Sequence, residues 1–400
     1  MINVIGLGYI GLPTALMFAS HGVAVIGTDC NKKLIAQYQA GILSFEEKGL
    51  SELFKTACNA GIRFSCECQR SEIYIIAVPT PYDKNSKKID ASYVVNAIKE
   101  VIDICPDEAI IVVESTVAPG TIDKFVRPLV DSKNVNLVHA PERIIPGNMM
   151  FELVNNSRTI GVDDHTVGSK IKDLYAIFCK GDIIVTDIRT AEMTKVVENT
   201  YRDINIAYAN ELAKICRFDN LDVYEIIRIA NKHPRVNILN PGPGVGGHCI
   251  SVDPWFLVGD HPGLANIILA ARKINDSMPE FVLERIYIIM QANGMKDITK
   301  VGLYGLTYKE NVCDVRESPT LQMIDCMKKH LANGIKVYDP YVKDDIVENQ
   351  YHNFESFLYD VDMVVILVAH DEIKQNINKL QGKILLDTCN ILPCDGIYKL

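Results

Sequence analysis

The stretch GPGVGGHCISVDPW at residues 242–255 sets Cys249 behind the paired glycines Gly246 and Gly247, with Asp253 four residues on and the only tryptophan, Trp255, closing it. Two readings are open: a plain turn, or a reactive thiol in a pocket lined by backbone. A thiol becomes a nucleophile where its neighbours favour the thiolate. In TAEMTKVVENTYRD, Lys195, Asn199 and Arg202 fall at i, i+4 and i+7 and share one helical face. That face is either an ordinary solvated one or a donor set for the thiol. In the second case the lysine lowers the thiol pKa and donates to an oxyanion, and the asparagine amide is a second donor. Glu142 and Arg143 in PERIIPG follow a strand end, and His233 and Arg235 in NKHPRVN occupy a turn ahead of the cysteine, where His233 could instead cap a helix.

A second centre lies at the amino end. VIGLGYIG places Gly6, Gly8 and Gly11 in the G-x-G-x-x-G spacing, directly after a first strand and opening a first helix. Such glycines permit a tight turn and close approach of a pyrophosphate, which the helix amino terminus favours. The next strand ends in Asp29, a carboxylate placed to accept from an adenosine ribose and to repel a 2′-phosphate, so NAD is favoured over NADP. FAD and a turn without ligand are the competing readings. Thr80 and Thr116 follow later strands at the carboxyl ends, where ligands of open α/β sheets lie, although either could be a cap.

These groups need elements to hold them. Residues 1–186 alternate short β-branched runs with helical patterns, the signature of a parallel sheet covered on both faces. Residues 187–294 carry helical patterns alone, led by a helix of some 30 residues, roughly 45 Å long. From 295 to 400 the α/β rhythm returns, with a helix expected over 318–333. The expected class is α/β, with two doubly wound Rossmann-like domains joined by a long central helix and an all-helical middle domain.

The net charge of −9 gives no basic surplus for nucleic acid. The twelve cysteines are scattered, and Cys66 and Cys68 alone form C-x-C, poor spacing for zinc, so no metal is expected. No apolar run reaches the roughly 18 residues that span a bilayer. With no charged leader at the amino end, a cytoplasmic protein is expected.

VIGLGYIGLP, ESTVAPGT, PERIIPG, TAEMTKVVENTYRD, GPGVGGHCISVDP and LTYKENVCDVRESP occur in this order, and together they resemble the UDP-glucose/GDP-mannose dehydrogenase family over essentially the whole chain. The resemblance implies oxidation of a sugar C6 alcohol to the uronic acid by two NAD, through a thiohemiacetal and a thioester on Cys249. Lys195 and Asn199 would stabilise the oxyanion, and Asp253, Glu142 and Thr116 would position or activate water. Gly6, Gly8, Tyr9, Ile10, Gly11, Asp29, Lys33, Thr80, Thr116 and Arg316 would hold NAD. Arg143, Ile144, Lys195, Asn199, Arg202, His233, Arg235, Gly246, Tyr308 and Lys309 would meet the UDP-sugar.

Val252 stands where UDP-glucose members carry lysine, which favours a UDP-N-acetylhexosamine, UDP-N-acetylmannosamine before UDP-N-acetylglucosamine or UDP-glucose. The product would serve envelope polysaccharide synthesis, and a homodimer would complete the substrate site across its interface. A two-electron dehydrogenase of the 6-phosphogluconate type and a non-catalytic nucleotide-sugar sensor are the alternatives.

Overall fold

Short β-branched runs become strands where turn residues bound them. In the computed structural model, which describes residues 1–329, 334–393 and 396–400, the chain divides into two units, Met1–Glu198 and Asn199–Leu400.

The first unit holds eight strands: β1 (Ile2–Ile5), β2 (Val25–Thr28), β3 (Arg63–Ser65), β4 (Ile73–Ile76), β5 (Ile110–Val113), β6 (Asn136–His139), β7 (Arg158–Val162) and β8 (Ile183–Thr186). They form one sheet in the order β3-β2-β1-β4-β5-β6-β7-β8. β1 pairs in parallel with both β2 and β4, Ile2 facing Val25 and Ile73. Alternate residues feed two cores: Val4, Val112, Val138 and Ile160 on one face, Ile5, Ile76, Ile111 and Leu137 on the other. Both faces are therefore covered, as apolar strands of a parallel sheet require.

Three features depart from the sequence reading. β7 runs antiparallel to β6, Val138 opposite Val162, because the chain re-enters the sheet at the end it left. The helical segment after β5, within the stretch of alternating strands and helices, begins with a wider turn, Ile122–Val126, in which the Arg127 N–H bonds to the Ile122 carbonyl. Pro128 has no N–H for the carbonyl four residues back, and the helix widens ahead of it. A helix at Leu50–Asn59, which buries Leu50, Phe54 and Ala57, leads into β3.

A helix of 31 residues, Ile188–Phe218, carries the chain into the second unit. Its faces are mixed: apolar residues such as Ala191, Val196 and Ala209 are buried, but not they alone. Glu192, Lys195, Asp203 and Asn210 are buried, while Met193, Val197, Tyr201 and Tyr208 are exposed. Helices Val223–Ala230, Asp253–Asp260, Asn266–Asp276 and Met278–Ala292 follow. The second sheet contains β9 (Val301–Tyr304), β10 (Lys336–Tyr338), β11 (Gln350–Tyr351), β12 (Met363–Ile366), β13 (Ile384–Asp387) and β14 (Tyr398–Lys399), in the order β11-β10-β9-β12-β13-β14. The helix expected over 318–333 is Pro319–Lys329, and positions 330–333 lie outside the described residues. Among the described residues no helix is long and apolar enough to cross a membrane.

Candidate active site

Gly6 follows β1 with φ +89°, and a Cβ there would lie 2.5 Å from the Ala77 carbonyl oxygen. Gly11 opens the helix Gly11–Ser20, where a Cβ would fall 1.9 Å from the Gly6 carbonyl oxygen. Gly8 differs: no described atom lies within 4 Å of the place its Cβ would take. The turn therefore leaves open space at the amino end of a helix, where the backbone dipoles favour an anion. Asp29 accepts the Leu7 N–H at 2.8 Å and, through its other oxygen, the Asn31 N–H at 2.9 Å. Each oxygen keeps a second lone pair for a ribose hydroxyl. The open cradle and the aimed carboxylate fit a dinucleotide.

Tyr9 and Ile10 pack on the core, the Tyr9 ring 4.4 Å from that of Phe45. Lys33 is exposed in the first turn of the helix Lys32–Gln39. Thr80 is buried beyond β4 and Thr116 half-buried beyond β5.

Sequence reasoning missed what fixes these loops. Ser115 donates to the Val78 carbonyl at 2.7 Å, tying the Thr116 loop to the segment of Thr80. Glu192, on the long helix, accepts the N–H groups of Gly120 at 2.5 Å and Ile122 at 2.9 Å. Burial pushes its carboxyl up to about 7, against the pull of those two N–H groups.

Beyond β6, Glu142 is buried. One oxygen accepts the Arg143 N–H at 2.6 Å and the other bonds to Arg158. The Arg143 guanidinium is held by Glu198 at 2.7 Å, the Ser157 carbonyl at 2.5 Å and Thr159 at 2.9 Å. Ile144 belongs to the core.

In the second unit Cys249 is exposed. Its carbonyl accepts the N–H of Asp253 at 2.8 Å, which folds thiol and carboxylate into one turn. Asp253 starts the helix Asp253–Asp260, with Pro254 in the first turn, where a missing N–H is tolerated. Its buried carboxylate accepts from the Asn199 amide at 2.5 Å. The structure thus brings Cys249, Asp253 and Asn199 together. Lys195 is one helical turn before Asn199 and buried, whereas Arg202 is exposed.

The long helix also anchors the approach to the thiol. The Asn205 amide donates to the Asn237 carbonyl at 2.9 Å and its oxygen accepts the Leu239 N–H at 3.1 Å, while Asn210 accepts the Gly242 N–H at 2.9 Å. Amides at these helical positions were a signal the sequence reading did not use.

Gly246 and Gly247 serve packing. A Cβ on Gly246 would lie 2.5 Å from the Tyr308 Cβ, and one on Gly247 would lie 2.9 Å from the Tyr308 ring. The Gly247 N–H also donates to the Arg316 carbonyl at 2.9 Å. The loop that carries Tyr308, Lys309 and Arg316 is therefore seated on the thiol turn. The Arg316 guanidinium grips Asp314 at 2.6 Å. Burial, followed by Arg316, pushes His248 below the usual histidine range. His233 and Arg235 are exposed in the turn after the helix Val223–Ala230, where the Arg235 N–H donates to the His233 ring at 3.3 Å.

Comparison with known proteins assigns the chain. Family models match in three consecutive blocks of the UDP-glucose/GDP-mannose dehydrogenase family: the NAD binding domain over residues 1–179, the central domain over 189–277 and the UDP binding domain over 302–393. A UDP-N-acetyl-D-mannosamine dehydrogenase of Methanocaldococcus jannaschii is 44% identical over 98% of this chain and 92% of its own length. An NDP-N-acetyl-D-galactosaminuronic acid dehydrogenase of Ralstonia nicotianae is 38% identical, covering 97% of this chain and 95% of the relative. The solved structure of the UDP-N-acetyl-mannosamine dehydrogenase Cap5O from Staphylococcus aureus is similar with a TM-score of 0.89 at 40% identity, covering 100% of this chain and 97% of that one. With matches running from the glycine turn to the last strands, the chain belongs to the UDP-glucose/GDP-mannose dehydrogenase family and is an NAD-dependent nucleotide-sugar dehydrogenase.

Proposed function

We propose that this enzyme oxidises the C6 alcohol of a UDP-N-acetylhexosamine, UDP-N-acetyl-D-mannosamine in particular, to the uronic acid. The observation that carries the reading is the exposed Cys249 one turn from a buried Asp253 whose carboxylate the Asn199 amide holds. NAD, when bound, accepts a hydride in each of two oxidations. Between them the Cys249 thiolate adds to the C6 aldehyde, and the resulting thiohemiacetal loses a hydride to become a thioester. Water then breaks the C–S bond, returning the thiolate. The sum is alcohol, two NAD⁺ and water giving carboxylate, two NADH and three protons. Covalent capture keeps the aldehyde in place between the oxidations.

In this reading Lys195 and Asn199 stabilise the oxyanion, Lys195 also moves the alcohol proton, and Asp253, Glu142 and Thr116 act on water. Gly6, Gly8, Gly11, Asp29 and Thr80 seat the cofactor, and the loop of Tyr308 and Lys309, on the thiol turn, meets the nucleotide sugar. The domain limits at 186/187 and 294/295 divide cofactor, helical and nucleotide-sugar parts.

Val252, in place of a lysine, supports an N-acetylated sugar, as do relatives named for mannosamine and galactosaminuronic acid substrates. The exposed apolar row Met193, Val197, Tyr201 and Tyr208 supports a homodimer formed through the long helix, with the enzyme working in the cytoplasm on a precursor of envelope polysaccharide.

The test is a count of NADH per sugar over a panel of UDP-glucose, UDP-GlcNAc, UDP-ManNAc and GDP-mannose. Two NADH per UDP-ManNAc are expected, and Cys249→Ser abolishes uronate formation while sparing part of the first hydride step. One NADH per sugar, or full uronate yield from the serine variant, rejects the mechanism.

A further inference from the structure

Behind Glu142 lies a buried group of charges outside the proposed chemistry. Arg158, on β7, reaches two carboxylates with its two terminal nitrogens: Glu114, just past β5, at 3.2 Å and Glu142 in a shorter contact. All three side chains are nearly inaccessible, with relative exposures of 4% for Arg158, 0% for Glu114 and 4% for Glu142. The Arg158 guanidinium lies 4.2 Å over the ring of Tyr175, whose hydroxyl donates to Glu114 at 3.0 Å. One cation thus stands between two anions in a dry setting, where an unbalanced charge is costly.

Glu142 has little freedom apart from Arg158: its other oxygen is fixed by the Arg143 N–H. Glu114 is faced by Arg158 from β7, Glu142 from the loop after β6, Tyr175 from the helix His165–Tyr175 and Thr14 from the first helix. Burial raises its carboxyl to about 7, opposed by Arg158 and reinforced by Glu142. While Glu114 keeps its proton, Glu142 is the sole anion on Arg158; once ionised, Glu114 competes for the same guanidinium.

We propose that Arg158 is a positioning residue for Glu142, and that the proton on Glu114 decides how firmly Arg158 holds it. This rests on Glu142 acting on the water that releases the thioester. The experiment follows kcat, KM and the acyl adduct on Cys249, the last by intact-protein mass spectrometry during turnover.

Glu142→Gln tests the underlying reading: if it neither slows turnover nor accumulates adduct, Glu142 has no role in hydrolysis. Arg158→Lys keeps the cation but loses the two-pronged grip. Its expected result is a kcat lower by about 10- to 100-fold, less than the roughly 100- to 10,000-fold that a positioned acid–base group supplies because Glu142 itself remains, with accumulated adduct and an unchanged sugar KM. A kcat within about twofold of wild type in the folded variant, or a loss without adduct, overturns the inference while Glu142→Gln still accumulates adduct. Glu114→Gln keeps the guanidinium and removes the competitor, which decides the matter even if Arg158→Lys fails to fold. It should flatten the fall of kcat above about pH 7, and an alkaline limb identical to wild type refutes the role of the Glu114 proton.

Discussion

The first sheet turns after β1 through Gly6-Leu7-Gly8, and the second turns after β9 through Gly305-Leu306-Thr307. Gly6 has φ +89° and bonds to the Thr28 carbonyl at 2.8 Å; Gly305 has φ +103° and bonds to the Tyr338 carbonyl at 2.8 Å. Asp29 follows β2 and takes the Leu7 N–H, and Asp339 follows β10 and takes the Leu306 N–H at 2.6 Å. The third position separates them. Gly8 leaves its space open, whereas the Thr307 side chain is fully buried, bonded to the Lys309 carbonyl at 2.9 Å and lying 3.3 Å from His370. Asp339 is closed in turn by His370 at 3.1 Å, whose other ring nitrogen accepts the Asn311 N–H at 2.9 Å. One scaffold thus leaves a space that fits a dinucleotide where the side chain is absent, and makes a loop anchor where it is present.

Opening the second turn should cost most. His370→Ala leaves the buried Asp339 carboxylate short of a donor, a loss of about 3 kcal/mol, while NAD affinity stays within about twofold because the first turn is untouched. Calorimetry with NAD titration checks this, and a weakened NAD site would erase the distinction. Closing the first turn is the mirror experiment. Gly8→Thr should lower NAD affinity by about 100-fold, near 2.7 kcal/mol, with Tm nearly unchanged because the space is vacant. Wild-type NAD binding in this variant would show that the cradle lies elsewhere.

Proton linkage gives a smaller difference of opposite sign. Glu192 is raised to about 7 from an ordinary 4.5, so its stabilisation is complete below that ordinary value and is lost as pH rises through 7. Asp339, despite burial, is held below the carboxylate range by His370, so its contribution is present above the ordinary 3.8 and lost as pH falls through its lowered value. Between pH 5 and 8 the first unit should weaken relative to the second, and Glu192→Gln should gain a few degrees of Tm relative to wild type over that interval. A pH-independent difference removes the effect. The smallest change is expected for Lys33→Ala, which should weaken NAD by no more than about threefold, since an exposed charge at a helix start contributes below about 1 kcal/mol; a larger loss in NAD titration would place Lys33 on the cofactor.

Much of this was legible in the residues because it depends on spacing. The glycine turn, Asp29 after its strand, the long helix and the two α/β ends follow from period and turn chemistry, both local. The direction of β7 was not legible, since alternation is the same for parallel and antiparallel strands. Arg143 reads as a contact for the UDP-sugar, and nothing local in the sequence signals its engagement by Glu198, Ser157 and Thr159. Arg158, 16 residues from Glu142, gave no local sign of its partners. Buried charge pairs form between strands, and their matching is written in three dimensions only.

The seating of Tyr308 on Gly246 and Gly247 joins residues far apart in the sequence into one packing unit. A side chain at either position meets more than the ring: at Gly246 its Cβ would fall 2.5 Å from the Tyr308 Cβ and 2.7 Å from the Glu317 carbonyl oxygen, and Gly247 holds φ +85°. Trimming the Tyr308 ring therefore makes room for neither side chain, and the nucleophile's turn is held to glycine by its own backbone and by a loop some sixty residues downstream.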